Sequence, residues 1–154
     1  MKICLLGYRS NPYSGGQGIY LRHLGLALID AGHDVDVISG PPYPDLDPRI
    51  NLIKLPSLDL YATPDHIRAF KWGYLGSITD LIEYVDTVFG GFPEPYTFGR
   101  RLIRYFDHHQ PQYDIIHDNP IISDNVLHGM IGFFAIIVIF LIRQAQTLMD
   151  ELLD

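Results

Sequence analysis

The sequence predicts an α/β fold, a doubly wound parallel sheet with helices on both faces, and three observations carry that prediction. Residues 3–6 form a continuous apolar run that ends at Gly7, as expected for a strand buried on both faces. A helical pattern follows this run, and a β-branched run follows the helix before residue 40. A strand, a helix and a strand at this spacing form a crossover unit, which places helices against a parallel sheet.

The first helix is expected after a turn-rich loop at residues 8–16. Its apolar positions recur at helical spacing and predict one buried face: Tyr20, Leu24, Ala27, Leu28 and Ala31. Gly32 is well placed to end the helix, because glycine readily adopts the left-handed conformation found after many helices. Residues 35–38 then predict the second strand, which Gly40 and two prolines end.

The later segments predict two more strands and two more helices. Residues 50–55 and 113–117 are expected to be strands, whereas residues 56–76 have no clear period. One amphipathic helix is predicted from Ile78, Leu81, Ile82, Val85 and Phe89. Another is predicted after Pro93, with its buried face formed by Phe98, Leu102, Tyr105 and Phe106. Trp72 and Tyr74 are interpreted as core aromatics in preference to acceptor contacts.

Composition and charge exclude several classes of function. The 154 residues suit one domain, with 47% apolar and 19% charged residues. The net charge of −7 argues against nucleic acid as a partner and against docking on anionic lipid by charge alone. Cys4 is the single cysteine, which suits a buried position in a reducing compartment. The short apolar run at the start does not match a secretory signal, so a cytoplasmic location is expected.

A glycine-rich loop, Ser14-Gly15-Gly16-Gln17-Gly18, separates the first strand from the first helix. Glycines at a helix start let backbone N–H groups approach a phosphate closely, although they also suit a turn with unusual dihedral angles. Leu21 stands where a dinucleotide-binding fingerprint needs its third glycine, and no Gly-Lys-Ser/Thr follows. The loop therefore predicts either a phosphate site of another kind or a structural turn.

Several ordered segments resemble the start of family 4 glycosyltransferases. These are Gly-Gly-Gln-Gly-Ile-Tyr-Leu-Arg-His-Leu at residues 15–24 and Ala-Gly-His-Asp-Val at residues 31–35. Segments at residues 39–44, 55–61, 90–99 and 113–119 resemble one bacterial subgroup of that family, so the resemblance covers residues 1–119. It implies the Rossmann-like, acceptor-side N-terminal domain of a GT-B enzyme. Such an enzyme transfers a hexose from a nucleotide sugar with retention.

The resemblance also implies roles for particular residues. Gly15 and Gly16 would donate backbone N–H groups to the donor diphosphate, and His117, Asp118 and Asn119 would line the acceptor side of the cleft. A strand-end histidine bonded to backbone and a turn pair at residues 118–119 remain alternatives. No metal is implied, because the GT-B fold stabilises the leaving diphosphate with backbone groups and basic side chains. No cofactor is implied, because the nucleotide sugar is itself the substrate. His108-His109 is interpreted as a cationic helix end and not as a metal site.

Residues 120–154 depart from the resemblance and form an atypical tail. Its apolar run, residues 126–142, contains one strongly polar side chain, His128, and as a helix would extend about 25 Å, near the lower limit for a bilayer span. A frameshift or premature stop, a membrane helix, and a buried strand followed by a helix are three interpretations of this tail.

The leading hypothesis is a fragment that is inactive without its missing C-terminal domain. Its expected partners are a nucleotide sugar, an unknown acceptor and that domain, with membrane contact only through residues 126–142. Half of a split enzyme is the second hypothesis. A non-catalytic binding module tethered to a membrane by the tail is the third.

Overall fold

The computed structural model describes residues 1–13, 16–60 and 71–118, and it contains four strands and three α-helices within these ranges. A short 3₁₀ helix at Trp72–Gly76 precedes the second α-helix. The elements in chain order are β1 (Lys2–Gly7), α1 (Gln17–Asp30), β2 (Asp34–Ser39), β3 (Asn51–Lys54), α2 (Ile78–Val88), α3 (Glu94–His109) and β4 (Ile115–Asp118).

The four strands form one parallel sheet in the order β3-β2-β1-β4. In its register Leu5 of β1 lies between Val37 of β2 and His117 of β4. The chain builds outward from β1 to β3 and then returns to the other side of β1. The strand order therefore reverses between β1 and β4, and such a reversal opens a crevice outside the carboxyl ends of the two strands. The predicted doubly wound α/β fold is confirmed.

Helices cover both faces of the sheet, because side chains along each strand alternate between two apolar layers. Leu21 of α1 packs on one face, against Ile3, Leu5, Val35, Val37 and Ile50. Three side chains of α3 pack on the other face, against Cys4, Leu6, Ile38 and Leu55; they are Phe98, Leu102 and Phe106. β1 is consequently buried along almost its whole length, as its unbroken apolar run predicts.

The predicted buried face of α1 is correct for Leu24 and Leu28, which pack against the apolar layer on this side of the sheet, and wrong for Tyr20, Ala27 and Ala31, which are exposed. The buried residues of α1 are Gln17, Gly18, Leu21 and Gly25, whereas Tyr20 is 44% exposed. The helix approaches the sheet through glycines: a Cβ at Gly25 would come within 2.8 Å of the Ile50 side chain. A hydrophobic pattern does not identify glycine as a core residue, so the predicted face followed the leucines and Tyr20.

The predicted orientation of α2 is also wrong. Phe89 is 85% exposed and Ile78 is 71% exposed, whereas Thr79, Glu83 and Thr87 are buried. The buried Arg101 of α3 explains the reversal, because its Nη2 lies 2.6 Å from a carboxylate oxygen of Glu83 and 2.6 Å from one of Asp80. Oε1 of Glu83 also accepts a bond from the backbone N–H of Leu58, at 3.0 Å. The buried side of α2 therefore carries paired charges where the apolar pattern predicts hydrophobic side chains.

Trp72 corrects a third expectation, because it is 81% exposed and not part of the core. Its neighbour Tyr74 lies against Tyr84 of α2, with 5.8 Å between ring centroids. The 3₁₀ helix that carries Trp72 is only five residues long and contacts α2 through Tyr74.

None of the helices in the described part of the chain is long and apolar enough to cross a membrane. The apolar run at residues 126–142, with the rest of the tail, lies outside the described residues. The three interpretations of that tail stay predictions.

Gly18 lies where the start of α1 meets the loop after β1, and it provides a test of this packing. A Cβ there would come within 2.6 Å of the carbonyl oxygen of Ser10 and would overlap that of Asn11. We expect Gly18→Ala to lower the free energy of unfolding by about 1–3 kcal/mol, because rigid backbone must move. Urea denaturation measures the change. Gly73→Ala is the control, since a Cβ at Gly73 meets nothing within 4 Å; equal losses in the two variants would contradict the close-approach explanation.

Arg101→Met removes one side of the buried charge cluster. We expect a loss of about 3–5 kcal/mol in the free energy of unfolding, because Glu83, which is 1% exposed, would keep an uncompensated charge. Arg22→Met is the matched control: Arg22 and Asp45 lie 3.7 Å apart with more than half of each side chain exposed. Its effect is expected to stay within about 0.5 kcal/mol. Similar losses in both variants would show that burial does not determine how much the charge cluster contributes to the free energy of unfolding.

Candidate functional site

The residues that the sequence singled out gather at the carboxyl edge of the sheet. β4 ends there with His117 and Asp118, and the loop that follows β1 begins there with Tyr8. Helices α1 and α3 connect parallel strands, so their N-termini return to this same edge. Gly16 at the start of α1 and Glu94 at the start of α3 therefore border the crevice between β1 and β4.

Gly16 is the N-cap of α1, with φ of 76°, and it offers an open helix start. Its carbonyl oxygen accepts the bond from the backbone N–H of Tyr20 at 2.8 Å, which begins the helix. A Cβ at Gly16 would meet nothing within 4 Å, and the first turn of α1 carries no acidic side chain. First-turn N–H groups with no capping side chain, together with the helix dipole, favour an anion. Gly15 lies outside the described residues.

His117 and Asp118 are neighbours in β4, so their side chains leave the sheet on opposite faces. His117 is in register with Leu5 and points toward the face covered by α1, where its Nε2 lies 3.5 Å from the Tyr20 hydroxyl. Asp118 is in register with Leu6, on the face covered by α3. Asn119 lies outside the described residues. Of the predicted acceptor-side residues described, only His117 thus shares the α1 side of the crevice with Gly16.

The loops after β1 and β2 are bonded to each other and form a fixed base for this edge. The N–H of Ser10 donates to the carbonyl of Pro42 at 3.0 Å, and that of Gly40 donates to the carbonyl of Gly7 at 3.1 Å. The buried hydroxyl of Ser39 donates to that of Ser10 at 3.0 Å. Backbone pairing of this kind holds the start of the loop after β1 against the loop after β2.

A charged cluster on the α3 side of the edge was missed at the sequence level. Nη1 of Arg9 lies 3.1 Å from both carboxylate oxygens of Glu94, and 3.9 Å from a carboxylate oxygen of Asp59. Burial raises the pKa of Glu94 to about 7, although Arg9 opposes the shift. The sequence signal was slight: Glu94 stands between two prolines at a helix start. The cluster secures the loop after β1 against the start of α3.

The remaining histidine pair is at the far end of α3, away from the crevice. The ring of His109 stacks on that of Tyr105 with centroids 4.2 Å apart, and its Nδ1 lies 3.0 Å from the carbonyl oxygen of Tyr105. Across residues 1–13, 16–60 and 71–118, no group of three or more His, Cys, Asp or Glu side chains could hold a metal ion.

Comparison with known proteins finds one informative relative. The chain is 46% identical over 135 residues to an MMP alpha-(1->4)-mannosyltransferase of Mycolicibacterium hassiacum. The match covers 86% of this chain and 33% of that enzyme, so the chain spans about a third of the length of its relative. No protein-family model matches the chain. The motif resemblance to glycosyltransferases is thereby confirmed: over most of its length this chain is the homologue of a glycosyltransferase.

Proposed function

We propose that the chain is the N-terminal, acceptor-side half of a retaining glycosyltransferase of the GT-B type, which moves a hexose from a nucleotide sugar to an acceptor. One observation carries the proposal: the open start of α1 at Gly16 borders the same crevice as His117, at the reversal point of the sheet. Ligands of open α/β sheets bind at such points. The mannosyltransferase relative favours a sugar donor over other phosphate-bearing ligands.

The start of α1 suits the diphosphate of the donor. When the bond between the sugar and the diphosphate breaks, negative charge grows on the departing nucleotide. Backbone N–H groups near Gly16 and Gly15, with the positive end of the helix dipole, would stabilise that charge. Because these donors are fixed by the fold before the reaction, little reorganisation is required. Neither a metal nor a cofactor is needed for this role.

The other side of the crevice would receive the acceptor. His117 offers a ring nitrogen at the end of β4, beside the place where the transferred sugar would lie. Asp118 and Asn119 complete the proposed acceptor side, and the chemical nature of the acceptor stays open. The chain alone is proposed to be inactive, because transfer requires a second domain to hold the donor and exclude water. We place the reaction in the cytoplasm, with the tail at residues 126–142 as its proposed membrane contact.

A chimera tests the function directly. The aligned segment of the Mycolicibacterium hassiacum enzyme is replaced by the matching residues of this chain, and transfer of mannose from GDP-mannose is measured by mass spectrometry of the product. We expect the chimera to transfer mannose and the 154-residue chain alone to give no product. A chimera that folds but does not transfer, beside an active parent enzyme, would contradict the glycosyltransferase assignment. Turnover by the chain alone would contradict its proposed inactivity.

Gly16→Ala tests the diphosphate site within that chimera. Added at a positive φ, the side chain strains the helix start by about 1–2 kcal/mol and also occupies the space proposed for phosphate. We expect the donor kcat/KM to fall about ten-fold or more. Gly32→Ala is the matched control, because Gly32 has φ of 86°, equally open surroundings and a position at the opposite end of α1. Equal losses in the two variants would assign the effect to backbone strain and not to phosphate binding.

A further inference from the structure

We propose that Tyr20 is a positioning residue of the transfer site, which sets the orientation and tautomer of His117 and joins it to the segment at Gly16. This inference rests on the proposed function, because His117 and Gly16 matter together only if one ligand spans them. Tyr20 itself carries no reacting group in the proposal. It acts through its neighbour.

Two contacts link Tyr20 to the two sides of the crevice. Its backbone N–H donates to the carbonyl oxygen of Gly16 at 2.8 Å. Its hydroxyl lies 3.5 Å from Nε2 of His117, and the two rings are tilted by 38° with centroids 6.4 Å apart. A single residue therefore contacts both the proposed donor side and the proposed acceptor side.

The exposure of Tyr20 separates this role from core packing. Leu21 and Gly25, with the partly buried Leu24 and Leu28, make the contact of α1 with the sheet, and Tyr20 lies beside them with 44% of its surface exposed. Removing a hydroxyl from a half-exposed ring leaves no buried polar group unsatisfied, so its cost to stability is small. The side chain nevertheless reaches across from the first turn of α1 to the end of β4. Its place in the structure is explained better by His117 than by the core.

In this proposal the Tyr20 hydroxyl is the donor of the contact, and that choice decides which nitrogen of His117 carries the proton. A neutral imidazole has one donor nitrogen and one acceptor nitrogen, and hydrogen bonding at one nitrogen determines the state of the other. A Tyr20 hydroxyl that donates to Nε2 leaves the proton on Nδ1. His117 would then present Nδ1–H as a donor, which suits a hydroxyl oxygen of a sugar. Without Tyr20 the ring is free to rotate and to change tautomer.

Nitrogen NMR of the full chain tests the positioning step. The ring nitrogens of His117 are assigned from the spectrum of His117→Ala and compared between the wild type and Tyr20→Phe under conditions where the ring is neutral. We expect the proton on Nδ1 in the wild type and mainly on Nε2 in the variant. Tyr13→Phe is the control, because Tyr13 is 90% exposed in the loop before α1. Identical His117 spectra in the wild type and Tyr20→Phe would overturn the proposal.

A titration with GDP-mannose of the chimera described above, which supplies the second domain that holds the donor, separates this inference from the proposed function. In the wild type we expect both the Gly16 amide and the His117 ring signals to move. In Tyr20→Phe the Gly16 amide should still move, whereas the shift of the His117 ring should fall by about half or more. Equal His117 shifts in the two proteins would overturn the positioning role while leaving the donor site supported. No movement at Gly16 in the wild type would overturn the donor site and, with it, this inference.

Discussion

The close approach of α1 to the loops at the carboxyl edge is the constraint on which the candidate site depends. Gly7 and Gly18 make the approach feasible, because a Cβ at Gly7 would meet Leu21 at 2.7 Å and one at Gly18 would enter the backbone of the loop after β1. With the helix this near, its first turn opens directly onto the end of the sheet. The same proximity brings Tyr20 within reach of His117 on β4. The positions of Gly16 and Tyr20 follow from this close approach, whereas β4 positions His117.

On the other face of the sheet, paired charges connect α3 to α2 and to the loop after β1. Arg101 holds α2 through Glu83 and Asp80, and Arg9 joins the loop after β1 to Glu94 on α3. Each pair links two segments that are separated in the sequence. Because a given charge accepts only an opposite charge as its partner, such a pair allows fewer arrangements of the segments than an apolar contact does. Burial makes the Arg101–Glu83 pair costly to break singly, because both side chains are almost fully buried and the remaining partner cannot recover water. These pairs connect α2 to α3 and the loop after β1 to α3.

A third polar cluster stabilises the sheet at Asp36, which is 6% exposed. Its carboxylate accepts from the Tyr113 hydroxyl at 2.7 Å and from the Asn51 amide at 2.9 Å, with the Lys2 ammonium at 3.6 Å. Strands β1, β2 and β3 and the segment before β4 thus meet at one carboxylate. Burial raises the pKa of the adjacent Cys4 thiol to about 12, so this cysteine is a core residue and not a nucleophile. The sheet is fixed by this cluster on one side and by the loop pairing near Ser10 on the other.

The sequence by itself determined the secondary-structure elements and the α/β fold class. The unbroken apolar run at residues 3–6 predicts a strand with two buried faces, and β1 is such a strand. Gly32, with φ of 86°, ends α1 as expected, because left-handed backbone at a helix end favours a residue without a Cβ. The motifs also indicated a glycosyltransferase relative, since ordered segments carry more information than any one loop.

Only the tertiary structure decided how the helices face the sheet and which site residues meet. Periodicity placed Tyr20 in the core and the apolar side of α2 inward, because it counts apolar side chains and overlooks both glycine contacts and buried ion pairs. Arg101 lies on α3 and its ion-pair partner Glu83 lies on α2, so the periodicity of α2 alone does not reveal the contact that orients this helix. Likewise, the alternation of β4 puts His117 and Asp118 on opposite faces although they are adjacent in sequence. Contacts between distant segments decide these features, and the local sequence encodes only the elements that make them.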